Sequence, residues 1–512
     1  MKKFQTIFLN GSFFVPFLLL FLGLFWTLIF CADQFCVRDS ANFYYPLFQQ
    51  IQQEWEQGRT PLWDPYDNLG QPLAANPTSS VFYPGKLIFF LFPHHFDFAF
   101  KWYILLHYPL AFWGMVRLLR YWKISPLGAG IGALSWTFGG NLFFQYSNLV
   151  FLIGAAWFPW GIQAGLALIE KKSFARFVEL ALILALMILG GEPQSAYLIG
   201  LFLIFWVIFF DPSLHSRQKD PDLPANPPSP VRMRIRNLSL LAGAALLAGL
   251  LAAVQMIPGS LMAQRCDRFS DSAPVSLWEI PPYLMKSDQT EPLFSGILSQ
   301  NIHSVSHSSS IYHFSFAPWR TIELLWPNIG GDFSSESTRW LSFLPYDDQI
   351  WNPAIYMGIL PLLLGFSMFT LLRVGSSDNP VRRWISWILL LSFLAAGGGF
   401  GIGWIVRFFS HLFGSPQNLS IKSGDPIGGV YWFMNLILPG FSMFRYPAKM
   451  MVPFGFALSI LAGLGWDQSA ENPRFQRFTR IFFVLSLIGT VVFLLLGDFF
   501  LAVLESCPGS SN

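Results

Sequence analysis

Long windows without a single charge dominate this chain. No charged residue occurs between Lys3 and Asp33, and the run Phe13 to Cys31 is almost wholly apolar. Further charge-free windows cover 124–169, 237–264, 349–372, 384–406, 450–466 and 481–497. A helix that crosses the hydrocarbon core needs about 20 apolar residues, so each window predicts one spanning helix, except 124–169, which has room for two. That pair is predicted to turn near Asn141 to Asn148. Residues 97–118, 173–190 and 193–210 add three more, for eleven predicted spans. The first apolar run exceeds the roughly 7–15 residues of a signal-peptide core, and bulky Phe30 before Cys31 does not suit a lipoprotein site. An uncleaved first helix is therefore expected.

Two apolar stretches fit less well. Residues 80–93 are interrupted by Pro84, Gly85 and Lys86 and suit an interfacial or re-entrant segment. Residues 426–444 are apolar enough to cross, but crossing would place Arg474, Arg477 and Arg480 outside, against the positive-inside rule. With that stretch kept outside, 19 of the 32 Lys and Arg residues fall in the N-terminal side's short loops. The remainder are spread over long loops, about 32–101, 259–351 and 404–449. This asymmetry predicts a cytoplasmic N-terminus and an extracytoplasmic C-terminus. Gly128/Gly132 and the Gly397 to Gly403 cluster lie inside predicted spans at small-x-x-x-small spacing, which points to close helix packing.

Composition sharpens the picture. Of 512 residues, 53% are hydrophobic, 18% aromatic and only 12% charged, with a mean hydropathy of +0.46. An average soluble protein carries about 25% charged residues, so there are too few here to solvate a globule of this size. Disorder, a disulfide-stapled secreted domain and an ordinary cytosolic enzyme are excluded. The net charge of +3 follows the membrane pattern and gives no sign of a nucleic-acid partner. The four cysteines show no C-x-x-C or metal-ligand spacing. Cys36 and Cys266 are able to pair if both face an oxidising compartment, but spacing does not establish it.

The expected organisation is an all-α polytopic transmembrane domain over 1–466. It includes a first extracytoplasmic loop at 32–96, a cytoplasmic linker at 211–236, a long extracytoplasmic loop at 259–351 and a third outer loop at 404–449. Residues 467–512 are expected to form a cytoplasmic loop and a last helix, without a C-terminal soluble domain. The linker holds six prolines in 26 residues and reads as flexible. Neither G-x-x-x-x-G-K-[ST] nor G-x-G-x-x-G occurs, so nucleotide-driven transport lacks support. Acidic and aromatic residues crowd the outer loops, whereas ion-coupled transporters usually carry ionisable groups at mid-bilayer. The pattern favours chemistry at the outer interface.

The first outer loop contains Arg38-Asp39-Ser40-Ala41-Asn42, followed by Pro61-Leu62-Trp63-Asp64-Pro65-Tyr66-Asp67-Asn68-Leu69-Gly70-Gln71-Pro72. Leu325-Trp326-Pro327-Asn328-Ile329-Gly330-Gly331 stands in the long loop, and Phe444-Arg445-Tyr446-Pro447 enters a later helix. In these motifs, over roughly residues 1–466, the chain resembles the YfhO-like bacterial membrane proteins, within the GT-C class of polytopic glycosyltransferases. Many members are longer and carry a C-terminal extracytoplasmic domain. The resemblance implies a GT-C-like bundle in the bacterial plasma (inner) membrane. It also implies sugar transfer, on the outer face, from a polyprenyl-phosphate carrier to an envelope glycan or lipid acceptor.

That chemistry asks for a base on the acceptor hydroxyl and a cation at the departing phosphate. Asp39, just beyond the first helix, matches where the class places its acidic residue. Pairing with Arg38, or capping a helix that begins near Asn42, is the alternative. Arg445, helped by Lys449, suits bidentate phosphate binding, and equally suits a headgroup anchor. Trp63 and Tyr66 are candidates to stack on a sugar, or belt residues. Asp64 and Asp67 read first as turn formers. The alternative is a divalent-cation site with Asp39, as some members of the class use; no other cofactor is expected. Glu192, in Gly190-Gly191-Glu192-Pro193-Gln194, either orients substrate or simply ends a helix. His303, His307 and His313 read as solvated loop, and Arg320 and Glu323 carry no assignment. The rival functions are a transporter of lipid-linked saccharides and a non-catalytic envelope assembly factor.

Overall fold

The computed structural model describes residues 14–35, 37–67, 69–210, 229–265, 274–285, 310–327, 329, 350–372, 379–413 and 424–470, and from the last segment 472–475, 477, 481, 484 and 488. The chain is mostly helical. The only paired strands among the described residues are the two-residue ribbons Trp63–Asp64 and Gln71–Pro72, antiparallel, with Trp63 opposite Pro72 and Asp64 opposite Gln71.

Twelve helices position the site: α1 (Phe14–Leu24), α2 (Tyr45–Glu56), α3 (His107–Tyr121), α4 (Pro126–Phe138), α5 (Leu149–Lys171), α6 (Phe174–Leu189), α7 (Pro193–Phe209), α8 (Pro230–Leu251), α9 (Ile359–Ser367), α10 (Pro380–Ala396), α11 (Val430–Ile437) and α12 (Met451–Ala470). Prolines open α4, α7, α8 and α10, where the missing N–H is one the first turn leaves unbonded anyway.

Among the described residues, three helices are able by length and composition to cross a membrane: α5, α8, and the run Pro447–Ser469, which takes in all but the last residue of α12. Their surroundings differ. The apolar stretches of α5 and of Pro447–Ser469 are 83% and 89% buried inside the protein, against 22% for α8. The first two form the core of the bundle, and α8 turns its apolar surface outward. α5 packs on α3, α6 and α7, while α12 packs on α4, α9 and α10.

The α4–α12 contact is close because both helices carry small residues there. A methyl group on Gly128 would lie 2.7 Å from the Gly463 carbonyl, and one on Gly132 would lie 2.8 Å from that of Ser459. The Ser125 amide and hydroxyl both donate to Asp467, the amide at 2.7 Å, so the end of α12 caps the start of α4. This is the packing that the Gly128/Gly132 spacing predicts.

Several predicted segments differ in the structure. The 124–169 window does turn within 141–148, through the helical turns Gly140–Phe143 and Phe144–Ser147. Residues 349–372 do not form one spanning helix. α9 has nine residues, about 14 Å at 1.5 Å each, and 351–358 run without helix to reach it. Gly397 to Gly401 are not inside a helix either, and Gly403 falls in the first turn of the next one. α10 stops at Ala396, Gly398 adopts φ +44°, and Ile402–Leu412 starts afresh. The break lets Phe400 and Asp425 form a parallel bridge. Residues 426–444 hold only the eight-residue α11 and a turn at Phe441–Met443, too short to cross. Residues 80–93 give the turn Pro84–Lys86 and the short helix Leu87–Leu91. All of the 481–497 span except residues 481, 484 and 488, the 211–228 part of the linker, Cys36 and Cys266 lie outside the described residues.

Candidate functional site

One cavity of about 570 Å³ opens where the lead-ins to α5, α7 and α12 meet the first loop, 32–96. Asn148 and Val150 come from the start of α5, Glu192 to Gln194 from the start of α7, and Arg445, Tyr446 and Lys449 from the turn before α12. Arg38, Asp39 and Tyr44 close it from the first loop, and Phe314 and Trp351 from the long loop. The lining carries the cations Arg38, Arg445 and Lys449 beside the carboxylates Asp39 and Glu192, and the cations are of the type that meets an anionic group.

Asp39 is placed by a compact turn. The Ser40 hydroxyl lies within bonding distance of the carbonyls of Phe35 (2.9 Å) and Val37 (2.7 Å), and Arg38 takes a left-handed φ of 51°. Ser40–Tyr44 then wind into α2. Asp39 does not cap that helical run. The Arg38 guanidinium reaches across the cavity to donate to the Trp351 carbonyl at 3.2 Å. Burial pushes the Arg38 pKa down, and the neighbouring Asp39 charge opposes that shift. Asp39 itself is exposed to the cavity and accepts a hydrogen bond from Asn148 Nδ2 at 3.2 Å.

Glu192 is buried at the inner wall. Gly191 precedes it with φ +90°, and a Cβ there would sit 2.5 Å from the Pro77 carbonyl. Gly154 on α5 leaves room for the Glu192 side chain, since a Cβ at 154 would lie 2.5 Å from Glu192 Cγ. The Ser195 hydroxyl donates to Glu192 Oε1 at 3.4 Å, and Lys449 Nζ lies 3.9 Å from Oε2. Burial raises the Glu192 pKa, because a carboxylate loses its hydration there, and Lys449 offsets part of the shift. Tyr44 is also raised, by burial first and then by the negative charges of Asp39 and Glu192.

Lys449 and Arg445 are held by the long loop. The Tyr446 N–H donates to the Ile311 carbonyl and the Ala448 N–H to that of Phe314, both at 3.1 Å. Tyr446 has φ 70°, with its ring 5.1 Å from those of Trp351 and Phe314. Lys449 Nζ stands 4.2 Å from the centroid of the Phe151 ring, a cation–π arrangement.

Asp39, Glu192, Arg445 and Lys449 thus line one cavity, and Trp63, Asp64, Tyr66 and Asp67 are not among its lining residues. Asp64 accepts the Tyr66 N–H at 2.9 Å and Asp67 accepts from the Gln71 side chain, both within the turn. Trp63 packs over Gly70, and Tyr66 is exposed. Among the described residues no cluster of three or more His, Cys, Asp or Glu is placed to hold a metal ion. Of the three loop histidines only His313 is described, and Asn328, Gly330 and Gly331 of the long-loop motif are not.

Sequence reasoning missed Tyr44, Asn148, Phe151 and Trp351. The turn at 141–148 is visible in the sequence, but nothing in one chain says which loop faces it. Arg320 and Glu323 form a buried bidentate pair, at 2.8 and 2.6 Å, and Arg320 also donates to the Asn352 carbonyl. Asn352 in turn donates to Gly140 at 2.9 Å. The pair anchors the segment that carries Trp351 to the turn after α4. Comparison with protein-family models, with curated proteins and with solved structures finds no match.

Proposed function

We propose that this chain is a multi-pass bacterial plasma-membrane glycosyltransferase of GT-C type. It moves a sugar from a polyprenyl-phosphate carrier to an envelope glycan or lipid acceptor on the extracytoplasmic face. The N-terminus lies in the cytoplasm and the C-terminus outside, as the charge pattern predicts. The observation that carries this reading is the convergence of Asp39 with Arg445 and Lys449 on one cavity, from loops far apart in sequence.

The reaction needs little else. Asp39 takes the proton of the acceptor hydroxyl, whose oxygen bonds to the anomeric carbon as the bond from that carbon to the phosphate oxygen breaks. The electron pair of that bond leaves with the lipid phosphate, where Arg445 and Lys449 stabilise the growing charge. The aromatic rings of Phe151, Trp351 and Tyr446 offer apolar faces to a sugar.

The test is envelope glycan and lipid-carrier mass profiling of a deletion strain, complemented with wild type or Asp39→Asn at matched membrane levels. Loss of one glycan modification with accumulation of the polyprenyl-phosphate sugar in the mutant is expected, and the mass difference names the sugar. A mutant that restores the wild-type profile overturns the assignment of Asp39.

A further inference from the structure

Asn148 occupies the N-cap position of α5, where an asparagine side chain ordinarily accepts a hydrogen bond from the first turn. Here it makes no such bond. Its amide instead bonds to two side chains from the first loop, Tyr44 and Asp39.

A side-chain amide has an acceptor end and a donor end, and which end faces a neighbour is set by the bonds around it. The Tyr44 hydroxyl donates its proton to Asn148 Oδ1 at 2.8 Å. With Oδ1 occupied, Asn148 presents Nδ2 to Asp39 Oδ2, at 3.2 Å. Among the described residues no hydrogen bond reaches Asp39 Oδ1, and Asp39 lines the cavity. An ionised carboxylate only accepts, so Asp39 fixes the polarity of the chain of bonds: Nδ2 of Asn148 faces it and Oδ1 is left for the Tyr44 proton.

We propose that Tyr44 and Asn148 are positioning residues that orient the Asp39 carboxylate, with Asn148 acting on Asp39 directly and Tyr44 acting only through Asn148. The inference rests on the reading of Asp39 as the base for transfer. It adds that a base must be held near the hydroxyl it deprotonates, because small misplacements of a reacting group cost large factors in rate.

The experiment uses the full-length protein in the complemented strain. The initial rate of glycan modification is followed after induction for Tyr44→Phe, Asn148→Ala, the double variant and Asn148→Asp. Carbodiimide labelling of Asp39 in purified membranes, mapped by mass spectrometry, is read in parallel and does not depend on what the protein catalyses. Tyr44→Phe and Asn148→Ala should each slow modification by about 10-fold or more and change Asp39 labelling alike. The double variant should be no worse than Asn148→Ala, since residues acting in series are non-additive. Asn148→Asp should be worse than Asn148→Ala, because it sets an acceptor against Asp39, whereas aspartate serves as well as asparagine at an ordinary N-cap. Additive losses, or an Asn148→Asp variant with wild-type rate and labelling, overturn the proposal. If Asp39→Asn keeps full activity while the labelling pattern holds, the transfer reading fails and the positioning of Asp39 stands.

Discussion

Lys449 Nζ lies 3.9 Å from the Glu192 carboxylate, joining the turn before α12 to the turn before α7 across the inner wall of the cavity. Both groups are largely withdrawn from water, with 15% and 5% of their side chains exposed. Removing one partner leaves the other's charge buried without compensation, which is the costly way to break such a pair. Lys449→Met is expected to destabilise the protein by about 3 kcal/mol, and distinctly less when Glu192→Gln is also present. Thermal unfolding of the four-member cycle in detergent measures this; equal losses in both backgrounds would mean that the two groups do not interact.

The same burial makes a pH prediction. Glu192 has a folded-state pKa raised above its ordinary 4.5. A group whose pKa is raised on folding contributes stability that is complete below the unfolded value and is lost as pH rises through the folded value. The melting temperature of Glu192→Gln minus that of wild type should therefore be flat below about pH 4.5 and climb as pH rises above it. A pH series of melting curves reads the difference directly, and a flat difference throughout would contradict the burial of an ionisable carboxylate.

Gly191 holds Glu192 in place by a backbone that other residues resist. With φ at +90°, and the Pro77 carbonyl 2.5 Å from where a methyl group would sit, there is no room for a side chain. Gly191→Ala should cost about 1–3 kcal/mol and also slow glycan modification, because the turn that carries Glu192 must shift. A variant with wild-type melting temperature would show that the turn relaxes without strain.

Arg445 is proposed to meet the lipid phosphate. Loss of one preorganised charge stabiliser typically lowers rate by about 10²–10³-fold, and that range is expected for Arg445→Ala. Arg445→Lys keeps the charge but not the planar two-pronged donor, so an intermediate loss is expected. The initial rate of glycan modification at matched expression checks both; if Arg445→Ala retains full rate, the residue serves only as a headgroup anchor.

Hydropathy and charge alone marked where helices lie and where chain reversals fall. The turn at 141–148, the paired small residues Gly128 and Gly132, and the break between Leu189 and Pro193 are all local consequences of spacing, apolar runs and proline. Locality also explains the failures. A charge-free window such as 349–372 says that a segment tolerates an apolar setting, not that it is helical. Glycines 397–403 read as helix packing within one span, but the helix breaks at Gly397 to Gly401, where Asp425 from another loop pairs with Phe400.

Asp39, Glu192, Arg445 and Lys449 were legible as candidates because each is a charge beside an apolar helix, where it must have a solvent, a partner or a ligand. Which candidates share a cavity was decided by tertiary packing, which brings the lead-in turns of α5, α7 and α12 together from distant parts of the chain. The same packing left Trp63, Asp64, Tyr66 and Asp67 in a self-contained turn. It also recruited Asn148 and Tyr44, whose types and spacing carry no signal on their own. An amide acquires a direction only when its neighbours occupy one end, and those neighbours come from distant parts of the chain.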